Sequence, residues 1–460
     1  MKDGEPIGDY DWTDPSKSFR GNYDGDGYEI RNMYINNRDG LFVGVFGSSD
    51  GVYFQNMNVM NFDITSGTHV GGIVGISYSD SISNCIAQGI IDASGFLGLL
   101  IGAYEGYKIK DCHVQGEINN SLGGARIGGL IGDCSADSIK NCSADVSIFS
   151  EGMIVGGLFG NFVNWSNTGS ITECYAYCNI NSTREYVGGI FGAIVDCPSN
   201  PMEIVNCFSQ GVINSIEDRV GGFIGGVGLN EGWDEYLTIS DCFTTVDVVG
   251  KDKVGGFAGD DLEITNIINC YSSGSVTGNS NVGGFIGLID SLNTVSVTNS
   301  YWDTDTSGLL TTAGNLGEGR TTVEMTDPHA GNTYVGWDFT NIWVEDVDFH
   351  NNGYPFLGWH DTSIDNNYEL LTMNYELEQN YPNPFNNQTN IGYTLEDMGK
   401  VEISIYNGNG QFVSEVVNGV VNAGMHSATF NADKLNSGIY YYQLKIDGMV
   451  KETKKMLLLK

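Results

Sequence analysis

Through the first three hundred residues, apolar positions fall in short clusters between glycines and polar turns, and no segment carries a sustained helical stripe. One hexad, apolar-Gly-Gly-apolar-apolar-Gly, recurs along this stretch. It reads Val70-Gly71-Gly72-Ile73-Val74-Gly75 and returns around Gly128, Gly129 and Gly132, then Gly156, Gly157 and Gly160, then Gly188, Gly189 and Gly192. Further copies hold Gly221, Gly222 and Gly225, then Gly255, Gly256 and Gly259, then Gly283, Gly284 and Gly287. A looser copy ends at Gly102 and a shortened one at Gly47, and successive closing glycines lie 27 to 34 residues apart. Self-similarity at a fixed period is the signature of a repeat architecture.

A second motif lies between the hexads. It is Ile82-Ser83-Asn84-Cys85, and its cysteine recurs as Cys112, Cys142, Cys174, Cys207, Cys242 and Cys270, with Ser300 closing the series. Strict alternation would put the Ile and the Cys of one motif on opposite faces. A bend at the Asn/Asp position turns both inward, and those residues tolerate the left-handed conformation that a bend needs. A third short apolar stretch follows each Cys, as at Gly89-Ile90-Ile91. Three short strands in each roughly 30-residue unit describe one coil of a parallel, right-handed β-solenoid of about nine coils, stacked about 4.8 Å apart. The paired glycines suit a corner where the chain turns sharply or coils approach closely.

The seven equivalent cysteines are spaced by the repeat period. Zinc ligands come instead in short pairs. A stack of small buried thiols is the expectation. Adjacent thiols of the stack would lie near enough to oxidise, so an occasional bridge is open there, and Cys174 with Cys178, or Cys134 with Cys142, are other candidate pairs.

After residue 300 the hexads stop. A closing region is expected over 301–360 and a polar linker over 361–375. Period-2 alternation such as Val401-Glu402-Ile403-Ser404-Ile405 then predicts a small antiparallel β-sandwich over 376–460. The whole chain is all-β.

Charge narrows the partners. The chain has 21 Lys+Arg against 57 Asp+Glu, a net charge of −36, which disfavours nucleic acid and anionic lipid. Residues 1–374 hold 14 basic and 48 acidic side chains, net −34, so the acidity belongs to the solenoid. Sixty-four glycines are explained by the repeat. No apolar run reaches the roughly 18 residues of a membrane helix, so no transmembrane segment is expected. Met1-Lys2-Asp3-Gly4-Glu5 is not followed by the apolar core of a signal peptide.

The hexad with Ile-x-Asn-Cys resembles the GLUG-motif repeats of bacterial surface proteins. The segment Phe19-Arg20-Gly21-Asn22-Tyr23-Asp24-Gly25-Asp26-Gly27 is similar to their opening coil, here 5–42, within a solenoid of 1–300. Tyr301-Trp302-Asp303-Thr304-Asp305 and the later Gly336-Trp337-Asp338-Phe339 are similar to the region that closes such repeats. At the other end Asn380, Tyr381, Pro382, Asn383, Pro384 and Phe385 closely resemble the type A sorting domain of the type IX secretion system. Gly438, Ile439 and Tyr440, then Lys454 and Lys455 before a terminal Leu run, belong to the same pattern. That resemblance implies an Ig-like sandwich, the type IX machinery as partner, a Bacteroidota-like source and an extracellular or surface location after periplasmic transit. A signal peptide is then expected ahead of Met1, on a missing N-terminal segment.

Chemistry is sparse. Asp24 and Asp26 hint weakly at a calcium loop, but Tyr34-Ile35 stands where an EF-hand needs its Glu, and a tight Asp-Gly turn accounts for them. Calcium elsewhere on so acidic a surface has no fixed place, and no cofactor is expected. The histidines at 69, 113, 329, 350, 360 and 426 form no metal motif, and His350 and His360 read as surface or packing residues. There is no phosphate loop, and no catalytic residue is assigned. Asp133, Asp196, Asp260, Asp261 and Asp290 follow hexads and line one edge, where acids are ordinarily solvated. Tyr78, Tyr104, Tyr107, Trp165, Trp233 and Tyr236 fall in the variable loops, as sugar-stacking surfaces or as cover for the solenoid's flank.

The leading expectation is a scaffold for adhesion or for binding an extracellular glycan, a protein or a host or neighbouring surface. The alternative is a polysaccharide lyase or glycosidase, with its catalytic part in the groove or upstream. A passive spacer is the third.

Overall fold

A computed structural model describes residues 7–8, 17–37, 40–120, 123–124, 126–163, 169–195, 202–227, 237–260, 265–289, 295–347, 349–360, 375–377, 380, 382–395, 399–407, 412–421, 424–435, 437–446 and 449–460. Two compact units, 1–360 and 361–460, are each described by themselves. The expected linker falls almost wholly outside the described residues.

The first unit winds about eight turns of a parallel β-solenoid. One wall is an eight-stranded parallel sheet made by the starts of the hexads, from Val70–Gly71 to Ser280–Gly283. The remaining walls belong to one continuous sheet of 27 strands. Register is kept from rung to rung: Leu97 pairs with Val70 and Ile127, and Val155 with Val187. The hexad is not a single strand. In one coil the order is Ile154–Gly156, Phe159–Val163, Ser170–Thr172 and Tyr175–Ser182, four strands where three were expected.

The glycines explain the split. A Cβ on the first of the pair would collide with a carbonyl of its own hexad, as Gly188 with Phe191 O at 2.0 Å. A Cβ on the second would meet the next coil, as Gly157 with Gly189 O at 2.1 Å. The first glycine therefore makes the corner and the second lets coils stack, and none of the paired glycines needs a positive φ.

The bend in Ile-x-Asn-Cys is where the pattern places it. Asn84, Asp111, Asn141, Glu173, Asn206, Asp241 and Asn269 all have φ between 51° and 55°. Ile82 and Cys85 are consequently both buried. The side chains at the bend link rungs, Asn84 Nδ2 to Asn56 Oδ1 at 2.6 Å and Asn141 Nδ2 to Asp111 Oδ1 at 2.8 Å. All seven ladder cysteines are fully buried, and the nine cysteines among the described residues are free thiols, Cys134 and Cys178 included. Burial pushes the thiols of Cys142, Cys207 and Cys242 well up. Ser300 fits the last rung because its hydroxyl donates to Thr298 O and accepts from Cys270 N, each at 3.0 Å.

The closing region does more than cap the last coil. The residue after each cysteine points outward, and from Tyr175 onward it is aromatic. Tyr175, Phe208, Phe243 and Tyr271 stack face to face, with centroids 4.8 to 5.1 Å apart. Residues 325–360 fold back over this row as a strap. Tyr334 and Trp337 pack on Tyr301, Trp343 on Phe243 and Tyr271, and Trp359 with His360 on Tyr175 and Phe208. Polar contacts fix its register: Trp343 Nε1 donates to Asp241 Oδ1 at 3.1 Å, and Tyr271 Oη to Pro355 O at 2.8 Å.

The second unit is the expected antiparallel sandwich. Tyr375–Leu377, Gln388–Leu395 and Gly424–Asn431 form one sheet. Phe412–Val421, Gly399–Asn407, Gly438–Ile446 and Met449–Leu458 form the other. Ile391, Ile403, Ile405, Tyr442, Leu444, Met456 and Leu458 make its core.

Candidate functional site: an exterior corner groove

Two outward rows flank the hexad corner. The residue before each hexad supplies a rim: Phe42, His69, Phe96, Arg126, Ile154, Tyr186, Arg219 and Lys253. The residue after each closing glycine supplies a floor, in unbroken register: Ser48, Ile76, Ala103, Asp133, Asn161, Ala193, Gly226 and Asp260. Two positions further on, Asp50, Tyr78, Glu105 and Ser135 make a second wall.

Over the later coils the corner is filled. Ile154, Val163, Ala193 and Val195 pack together with Tyr186 against them. Arg219 lies 4.8 Å over the Tyr186 ring and bonds Glu185 and Asp260, the latter at 2.8 Å, and Lys253 Nζ reaches Asp260 at 2.5 Å. Asp260 is fully buried, unlike the solvated acid expected there, because two cations compensate it. Asp133 is partly exposed and meets Arg126 at 2.6 Å and Asn161 Nδ2 at 2.9 Å. Asp133 and Asp260 thus share one row, four rungs apart. Asp196, Asp261 and Asp290 lie outside the described residues.

Over the earlier coils Phe42, Ile76 and Ala103 pack together with Tyr78 and Phe96 against them. A pocket of about 200 Å³ is lined by His69, Ile76, Ser77, Tyr78, Phe96, Ala103, Tyr104, Glu105, Asp133, Cys134, Ser135 and Val163. His69 stands between Phe42 and Phe96, with centroids 4.9 and 4.6 Å away, and Arg126 covers Phe96 at 5.3 Å. Burial holds the His69 imidazole below its usual pKa, and its Nδ1 is buried with no hydrogen-bond partner. Beneath the pocket Asp80 is fully buried, and its carboxylate accepts from Ser49, from Ser77 Oγ at 2.7 Å and from Val52 N at 2.6 Å. Burial raises the Asp80 pKa.

Of the aromatics expected in loops, Tyr107 is exposed and Tyr78 half-buried. Tyr104 is a correction. Alternation after Ala103 turns it inward, where its hydroxyl donates to Asp80 O at 2.7 Å. Trp165, Trp233 and Tyr236 lie outside the described residues. Sequence reasoning missed the rim and floor. The signal was present, since a fixed position just before and just after every hexad must form an outward ladder.

The remaining candidates are dispersed. Asp24 Oδ1 accepts from Asn56 Nδ2 and Asp26 N, each at 2.9 Å, and Oδ2 from Gln55 at 2.7 Å, which lowers its pKa. It ends the asparagine row, and Asp26 adopts the left-handed turn at φ 49°. No group of three metal-ligating side chains occurs among the described residues. His113 bonds Ser143 Oγ at 2.8 Å, His329 meets Glu345 at 3.1 Å, and His426 packs on Tyr393. His350 donates its backbone N–H to Asp346.

In the second unit the sorting-type residues act as a latch. Asn380 is buried, its N–H donating to Tyr442 Oη at 3.0 Å and its Nδ2 to Thr389 Oγ1 at 2.9 Å and Pro382 O at 3.1 Å. Asn383 Oδ1 accepts from Leu457 N at 2.9 Å, and Phe385 N–H reaches Leu457 O at 3.0 Å. Gly438, Ile439 and Tyr440 pair with Leu458, Leu457 and Met456, and Lys454 and Lys455 lie opposite Tyr442 and Tyr441. Tyr381 lies outside the described residues.

Comparison with known proteins agrees with this latch. Residues 379–459 match the family model of the secretion system C-terminal sorting domain. That tail implies handling by the type IX secretion machinery and secretion to the cell surface or the extracellular space. The chain is similar to halomucin of Haloquadratum walsbyi, 33% identical over 138 aligned residues, covering 26% of this chain and 2% of halomucin. The chain therefore spans a small fraction of that relative's length. A Bacteroides ovatus crystal structure provisionally named an immunoglobulin A1 protease aligns over 78% of this chain and 82% of its own, at 20% identity and TM-score 0.35.

Proposed function

We propose, with the secretion sorting domain at 379–459 as the premise, that this chain works outside the cell as a β-solenoid scaffold that binds an extracellular glycan or protein. The observation that carries this reading is the corner groove. Its floor keeps register from Ser48 to Asp260, and between an apolar cluster of the earlier coils, Phe42, Ile76 and Ala103, and one of the later coils, Ile154, Val163, Ala193 and Val195, it leaves a pocket lined from both. Stacked coils present such a surface rigidly, and repeat proteins use their extended surfaces in this way. The test is binding of the full chain to arrayed glycans and extracellular proteins. Saturable binding that is lost when the floor is filled by Ile76→Trp supports the reading. Absence of binding to every ligand class leaves a spacer.

A second reading, cleavage of glycans in the same groove, has one observation in its favour: Glu105 and Asp133 line one pocket, and glycosidases work with paired carboxylates. Asp133 is held in an ion pair with Arg126. Release of reducing ends from polysaccharides, abolished by Glu105→Gln, would establish this reading in place of the first.

A further inference from the structure

The charges around the pocket do not balance. Arg126 is matched by Asp133 and, at the adjoining end of the groove, Arg20 by Asp50 at 2.7 Å. Glu105 is exposed on the pocket wall and in no ion pair among the described residues. Asp80 lies beneath Ser77, bonded only to hydroxyls and an N–H and to no cation. Of the two, Glu105 alone lines the pocket, and Asp80 is fully buried behind Ser77.

The rest of the pocket is apolar or aromatic. Ile76 and Ala103 make the floor, Phe96 and the His69 ring one wall, Tyr78 part of the other. Aromatic faces and edges beside carboxylates suit a cation on an apolar stem, because ring quadrupole and carboxylate both attract it. The His69 ring lies between Phe42 and Phe96 at the same place. The volume of about 200 Å³ admits one such side chain. Anionic partners are repelled by a chain of net charge −36, and cationic ones are drawn in.

We propose that this pocket receives a lysine or arginine side chain from a basic segment of a partner protein. The inference rests on reading the corner groove as a binding site and names the chemistry of its occupant. Approach is steered by the acidic solenoid, the stem lies on Ile76 and Ala103, and the charged head sits beside Glu105.

The test uses the full chain and a fluorescent peptide with spaced lysines, against the same peptide with norleucine at each lysine, at low and at physiological salt. The lysine peptide should bind about tenfold or more tighter. Glu105→Gln should weaken it about threefold or more, Ala103→Phe should fill the pocket and abolish the difference, and Glu117→Gln, an exposed acid elsewhere on the same coil, should change nothing. Equal losses from Glu105→Gln and Glu117→Gln, or binding indifferent to Ala103→Phe, would mean attraction to the general field and overturn the proposal. A neutral oligosaccharide bound in the pocket, sensitive to Ala103→Phe but not to Glu105→Gln, would overturn it while sustaining the binding-scaffold reading. Failure of every ligand would sink both. Glu105→Gln is a surface change, so its result stands even if Ala103→Phe disturbs folding.

Discussion

The indole of Trp302 occupies the space where a side chain on Gly284 would stand: a Cβ there would lie 2.2 Å from its Cδ1 and Nε1. In the middle coils the equivalent glycine faces a small residue, Ala176 against Gly157 and Ser209 against Gly189, while Gly72 in an early coil faces the Phe62 ring. The last coil replaces that small residue with a plug that closes the core. Gly284→Ala should therefore lower stability by about 1–3 kcal/mol, measured by denaturant unfolding. Gly331→Ala, where a Cβ meets nothing within 4 Å, should leave the midpoint unchanged. Equal effects would contradict the packing described.

The bend of Ile-x-Asn-Cys makes a residue-specific prediction. Glu173 holds the left-handed conformation at φ 55° that Asn206 holds in the next coil. Asn206→Val should cost about 1–2 kcal/mol, since a β-branched residue is strained there. Glu173→Asn should gain a few tenths of a kcal/mol net, about the conformational gain less a partly exposed ion pair with Lys140. Thermal midpoints of both variants check the pair.

The two acids of the groove floor should behave differently. Asp260→Ala removes a fully buried carboxylate and leaves Lys253 without its ion pair and Arg219 with Glu185 alone, at a cost of about 3–5 kcal/mol. Asp133→Ala frees one partly exposed Arg126 and should cost about 1 kcal/mol or less. A similar loss of chemical stability for both would refute the distinction.

Acid should loosen the strap. Burial against Tyr175 and Phe208 holds the His360 pKa down, to about 4 from 6.5. The unfolded segment then binds a proton more readily than the packed one. The histidine's penalty is absent above about pH 6.5 and grows as pH falls toward 4, up to about 3 kcal/mol. Asp241, which accepts from Trp343, has a raised pKa from burial and acts in the opposite sense at lower pH. Tryptophan fluorescence should report strap release between pH 6.5 and 4 in the native chain, and His360→Phe should remove that phase. An identical profile for both would show that His360 does not carry it.

Much of the fold was legible because a solenoid repeats its constraints. The glycine pair, the left-handed Asn and the inward Cys each recur at one position, so one coil predicts the next. The split of the hexad into two strands was not legible, because it depends on a carbonyl three residues on, as Phe191 O to Gly188. The strap was missed although the row beneath it was visible. After the cysteine, Ile86, His113 and Ser143 give way to Tyr175, Phe208, Phe243, Tyr271 and Tyr301, and five outward aromatics in line require cover. The groove was harder. Its acids were recognised as an edge, but the pairing of Asp260 with Arg219 and Lys253 joins residues from different coils, and single-sequence spacing does not show which face each other.

Because the strap binds rungs from Tyr301 back to Tyr175 to one another, the solenoid is unequal along its length. Under tension or proteolysis, its earlier coils, joined only to their neighbours, can peel one at a time. The later coils must surrender together with the ribbon that crosses them. The coils that carry the pocket would separate before those the ribbon crosses.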